Sequence, residues 1–113
     1  MSQYFVEYME ARGEELNNDP DKLDDIEALE GEVIQLITEE GDSYKITIED
    51  CRLLRADEAA EPTIFLESNE QVIMAIVKGE LDPLQVLNTR KLMARTDATR
   101  GRIMRRLFYG EDF

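Results

Sequence analysis

Between Thr63 and Thr96 the chain changes its hydrophobic period repeatedly over a short distance, and this restricts the kind of fold it can enter. Thr63 to Glu67 is an apolar run with β-branched and aromatic members, long enough for a strand and too short for a helix. Ser68-Asn69-Glu70-Gln71 has capping-box spacing, with Ser68 as the expected cap. Val72, Ile73, Ile76 and Val77 then fall on one helical face, and Gly79 supplies a left-handed stop. Asp82-Pro83 opens a second helix, the Asp as cap and the Pro at the first helical position, followed by Leu84, Val86 and Leu87. Lys91 to Arg95 reads as another strand, with Leu92 and Met93 apolar. A strand, two short helices and a strand in sequence form an α/β unit whose helices must cover a sheet face.

The flanking segments add to the same sheet. From Ser2 to Asn18, Tyr4, Phe5, Tyr8, Met9 and Leu16 share one face of an amphipathic helix. Asn17-Asn18-Asp19-Pro20 breaks it and starts a shorter helix, with Leu23, Ile26 and Leu29 inward and Gly31 as the stop. Val33 to Thr38 is a strand, and Glu40-Gly41-Asp42 is a turn. Tyr44, Ile46 and Ile48 alternate with polar residues, which predicts a hairpin with one solvated face. Cys51 to Ala56 is a weaker third strand, and Asp57 to Pro62 a polar crossover. Asp97 caps a last helix with Ile103, Met104, Leu107 and Phe108 inward and Arg100, Arg102, Arg105 and Arg106 mostly outward. Residues 109–113 form a short tail. The predicted fold is α/β of the α+β kind: about five mostly antiparallel strands covered chiefly on one face by helices, in one domain over residues 1–113.

Here the residues carrying a resemblance are complete: Gly79 with Asp82-Pro83, then Lys91-Leu92 and Asp97, set in the order strand, helix, short helix, strand, helix. This pattern resembles the sterol carrier protein 2 family of nonspecific lipid-transfer proteins, most closely over the C-terminal half. Arg90 and Thr96 stand where that family often has glycine. The resemblance implies a noncatalytic protein that holds a fatty acid, fatty acyl-coenzyme A or phospholipid in an apolar tunnel between helices and sheet. The wall would then be built from Ile73, Met74, Ile76, Val77, Leu84, Leu87, Met93, Ile103, Met104, Leu107 and Phe108. Arg100 and Arg105 are the headgroup candidates, and Phe108 with Tyr109 a candidate lid. The alternative for the same inward residues is a filled core, in a module that docks to a protein partner or to a second copy.

Composition removes other classes. Without histidine, neither a Ser-His nor a Cys-His nucleophile system nor a histidine metal site can be assembled. There is no glycine-rich phosphate loop, so neither an enzyme nor a bound cofactor is expected. Asp19 to Glu30 superficially resembles a calcium loop, but Asp24 stands where that loop needs glycine and Leu23 occupies a ligand position. Its carboxylates suit a helix N-terminus. The formal net charge is −13, with 11 acids against 2 bases in residues 1–32 and 8 bases against 5 acids in residues 78–113. Such a surface disfavours nucleic acid and anionic bilayers as general partners. An acidic chain with 4 lysines against 9 arginines also fits a salt-rich cytoplasm, where screening tolerates self-repulsion. The acidic N-terminus does not read as a secretory signal, no apolar run reaches membrane-spanning length, and the lone Cys51 is expected reduced and inert in a cytoplasmic protein.

Overall fold

The computed structural model describes residues 3–89 and 91–110. The expected helix start at Ser2, the position of Arg90 and the tail residues 111–113 lie outside them. The order is α1 (Gln3–Asn17), a 3-10 turn (Pro20–Lys22), α2 (Leu23–Ala28), β1 (Val33–Thr38), β2 (Ser43–Glu49) and β3 (Arg52–Arg55). It continues with β4 (Ile64–Ser68), α3 (Glu70–Lys78), α4 (Pro83–Asn88), β5 (Met93–Arg95) and α5 (Ala98–Phe108).

The five strands form one sheet in the order β3-β2-β1-β4-β5. Its pairings are antiparallel except for β1 with β4, which are parallel and in register from Ile34 opposite Ile64 to Thr38 opposite Ser68. The two-residue side-chain period sends Ile34, Leu36, Tyr44, Ile46, Ile48, Leu53, Ile64 and Leu66 to one face, where all are buried. Against them pack Phe5, Met9 and Leu16 of α1, Ile26 of α2 with Leu29, Ile73, Ile76 and Val77 of α3, and Met104, Leu107 and Phe108 of α5. The other face is crossed by the segment between β3 and β4. Lys45 projects from that face and donates from Nζ to the carbonyls of Glu58 and Ala60, 2.5 and 2.8 Å away.

Local chemistry explains most boundaries. Asp19, Asp82 and Asp97 each accept a backbone N–H two or three residues on, as N-caps. The cap of α3 is Asn69, whose side chain accepts from the Val72 amide at 2.9 Å, in place of the expected Ser68. Ser68 instead ends β4, and its buried hydroxyl donates to the carbonyl of Lys91, tying β4 to the entry of β5. Between β2 and β3, Asp50 and Cys51 both take positive φ, 53° and 59°, as a two-residue primed turn requires. The Glu30 carboxylate accepts from both of their amides at 3.0 Å and holds that turn.

Several residues expected inward are exposed. Tyr4 and Leu23 face solvent while Val6 is buried in the core, the buried stripe of α1 running over Phe5, Val6, Met9 and Leu16.

Candidate functional site

Helix α5 has two working faces. Met104, Leu107 and Phe108 enter the core, whereas Ala98, Gly101, Arg102 and Arg105, at i, i+3, i+4 and i+7, form a second stripe. That second stripe faces α4 across a cleft of about 500 Å³. Pro83, Leu84 and Leu87 make the opposite wall, and Ala94, Thr96 and Asp97 close the end at β5. The volume lies within the range of small-molecule sites. The space exists because α5 and β5 present small residues here. A Cβ on Gly101 meets only the Thr96 methyl, at 3.5 Å.

Helix α4 carries the other wall with little anchorage of its own. Val86 is its one buried apolar residue among those described, while Leu84 and Leu87 are 47% and 40% exposed. What fixes α4 is its cap. Asp82 accepts from the Leu84 amide at 3.0 Å, and its carboxylate receives Nε and Nη2 of Arg105, both at 2.6 Å. This ion pair is buried and bidentate, the geometry in which a guanidinium matches a carboxylate. Arg105 holds the Asp82 carboxyl below the ordinary carboxylate range, outweighing the opposing effect of burial. The guanidinium also lies 5.6 Å from the centre of the Tyr109 ring. The pair therefore forms a neutral floor to the cleft and bolts α4 to α5.

The residues expected to line a tunnel divide into three groups. Ile73, Ile76, Val77, Met104, Leu107 and Phe108 are packed in the core, and Met74 and Ile103 are half-buried against it. Leu84 and Leu87 line the cleft. Met93 projects from the opposite face of the sheet, opposite Glu67 of β4 and 68% exposed, because the strand period places its neighbour Ala94 on the helix side. Its expected inward position does not hold. Nor is Phe108 placed as a lid: it is 3% exposed, and its carbonyl accepts from Nη2 of Arg12 at 3.2 Å.

The two headgroup candidates are both engaged within the chain. Arg105 pairs with Asp82, and Arg100 binds Glu32 at 2.7 Å as well as Asp97. Arg102, which the sequence reading placed outward without a role, is the arginine on the cleft rim. Pro83, Ala94, Ala98 and Gly101 were also missed. For Ala98 and Gly101 the signal is small size at helical spacing on α5, which a search for large apolar residues passes over.

Other openings lie elsewhere on the surface. One of about 590 Å³ lies between Asp19, Asp21, Asp24, Asp25, Lys22 and Arg106, and is lined almost wholly by charge. Another of about 260 Å³, between α1 and β3, mixes Glu10, Arg12, Glu14 and Arg55 with apolar Met9, Leu16, Leu53, Val77 and Phe108, and one of about 350 Å³ on the opposite face of the sheet is bordered by Ile37, Phe65 and Met93. Among the described residues no cluster of acids and cysteine could hold a metal ion, and no helix is long and apolar enough to cross a membrane. Cys51 is half-buried, and burial with the nearby Glu27, Glu30 and Asp50 raises its thiol pKa, which works against nucleophilic reactivity.

Residues 11–108 match the family model described as the SCP-2 sterol transfer family. No curated protein sequence matches the chain. Solved structures show the same fold at low identity. A sterol carrier protein domain 2 from Helicoverpa armigera has a TM-score of 0.72 at 16% identity, covering 95% of this chain and 89% of its own. A structure titled as a UbiJ-SCP2 ubiquinone synthesis protein has a TM-score of 0.71 at 11% identity, covering 88% and 90%. The apo form of sterol carrier protein 2 from Yarrowia lipolytica has a TM-score of 0.58 at 14% identity, covering 91% and 90%.

Proposed function

This chain belongs to the SCP-2 sterol transfer family, and from that premise we propose that it binds and transfers a lipid noncatalytically, holding an acyl chain in the cleft between α4, β5 and α5. The observation that carries the reading is the pairing of small residues on one wall, Ala94, Ala98 and Gly101, with the exposed Leu84 and Leu87 on the other. An apolar surface left open in this way stabilises a guest by removing methylenes from water, at about 0.8 kcal/mol each when fully buried. The cleft is partly open to solvent, so part of that gain is lost. Selectivity for chain structure is then weak, because apolar burial is non-directional.

Helix α4 is suited to admit such a guest. Val86 and the Asp82–Arg105 ion pair hold it to the rest of the protein, while Leu84 and Leu87 stay exposed on its cleft side, so a guest can contact them without displacing the residues packed on the sheet. The absence of histidine and the engaged state of Arg100 and Arg105 support a carrier over a catalyst. Titration of delipidated protein with a fluorescent long-chain fatty acid tests the reading. Saturable uptake is expected in the wild type and its loss in Gly101→Leu, which fills the cleft from a position facing away from the core. No saturable uptake by the wild type, or uptake unchanged by Gly101→Leu, refutes it.

A further inference from the structure

The charges lining the cleft are Asp97, Arg105 and Arg102, and they are not equivalent. Asp97 is consumed as the cap of α5, accepting from the Arg100 amide at 2.7 Å and from the Arg100 side chain. Arg105 is neutralised by Asp82 on the buried floor. Arg102 is exposed, one helical turn from Arg105 on the same stripe, and among the described residues no acid is paired with it. The cleft thus has an apolar body, a neutral floor and one uncompensated guanidinium at its rim.

We propose that Arg102 selects the headgroup, so that the preferred ligand is a single-chain amphiphile ending in an anion, a carboxylate or a phosphate monoester. The inference rests on the acyl-chain reading of the cleft. A guanidinium presents a planar fork of donors that matches either anion, in two parallel hydrogen bonds. The apolar walls beside it lower the local dielectric and strengthen the pairing relative to open water. The strongly acidic remainder of the surface works against any anion at long range, but that field is screened within about 8 Å at physiological salt, whereas the pairing acts at contact. A ligand with a neutral head gains the same apolar burial and leaves Arg102 as it was in the free protein.

The test compares three probes of equal chain length on delipidated protein: a fluorescent fatty acid, its methyl ester and the corresponding alkyl phosphate. An exposed ion pair contributes up to about 1 kcal/mol, so the fatty acid should bind the wild type several-fold more tightly than the ester. In Arg102→Gln the preference for the acid over the ester should disappear, with circular dichroism confirming an intact helix. Whichever of acid and phosphate binds more tightly identifies the kind of anion. Equal affinity for acid and ester in the wild type, or a preference that survives Arg102→Gln, overturns the proposal. Failure of every probe to bind removes the cleft reading and this proposal together, whereas binding of acid and ester alike removes only the role of Arg102.

Discussion

Replacing Gly79 by alanine should be among the most damaging single-methyl changes in the protein. Gly79 ends α3 with φ +87°, and a Cβ built on it would lie 2.6 Å from the carbonyl oxygen of Phe108. That oxygen belongs to backbone, at the last turn of α5, and is held in place by Arg12. The added methyl group cannot be absorbed by a side-chain rotation; α5 must move away from α3. Two costs follow. The left-handed conformation costs a non-glycine residue about 1–2 kcal/mol, and overpacking costs about 1–3 kcal/mol more. Gly31 provides the internal control, since it has nearly the same φ, +85°, and nothing within 4 Å of its Cβ position. Gly31→Ala should therefore carry the conformational cost alone. Urea denaturation of the two variants beside the wild type, at fixed pH and salt, separates the contributions. With slopes of about 1–3 kcal/mol per molar urea, the midpoint of Gly79→Ala should fall on the order of 1 M below that of Gly31→Ala. Coincident midpoints would refute the close approach of α3 to the end of α5 as a determinant of stability.

Other consequences can be measured as directly. Asp82 has a lowered carboxyl pKa, so its contribution to stability is complete above the unfolded value of 3.8 and is lost as pH falls through the lower folded value; acid titration of the unfolding free energy should show less loss below that pH in Asp82→Asn than in the wild type. The same variant should lose about 3–5 kcal/mol at neutral pH, because it leaves the Arg105 guanidinium buried without its counter-charge, and calorimetry checks this. Asn69→Ala should cost about 1 kcal/mol as a lost cap, while Ser68→Ala should leave α3 intact and loosen β5, which hydrogen exchange at Met93 to Arg95 would report. Leu84→Ser should change the unfolding midpoint little, since that side chain is already 47% exposed, and should weaken fatty-acid uptake. Ile76→Ala should instead cost about 2–5 kcal/mol.

The sheet was legible because alternation over Val33–Thr38 and Tyr44–Ile48 admits one register, in which a slip of one residue would turn every buried aliphatic to solvent. The entries at Asp82-Pro83 and Asp97 were legible for an equally local reason, a carboxylate next to unsatisfied amides. Ser68 misled because its hydroxyl had two uses, and the tertiary one, bonding Lys91 across to β5, left the cap to Asn69. The site itself was barely legible. Periodicity reports which residues face inward, and most of those it selected, such as Ile73, Ile76 and Leu107, fill the core. A cleft is marked by what is missing, here the side chains that Gly101, Ala98 and Ala94 lack. The pairing of Arg105 with Asp82, distant in sequence, could not be read from either segment alone.

Apart from Arg105, which borders the cleft and also ties α4 to α5, α5 keeps its core residues and its cleft residues on separate stripes, so the two sets can change independently. A change at Ala98, Gly101 or Arg102 rewrites what the cleft admits without touching the packing on the sheet. Distant descendants of such a chain can hence acquire new guests by exchanging a few side chains along a single helix, with the scaffold inherited unaltered.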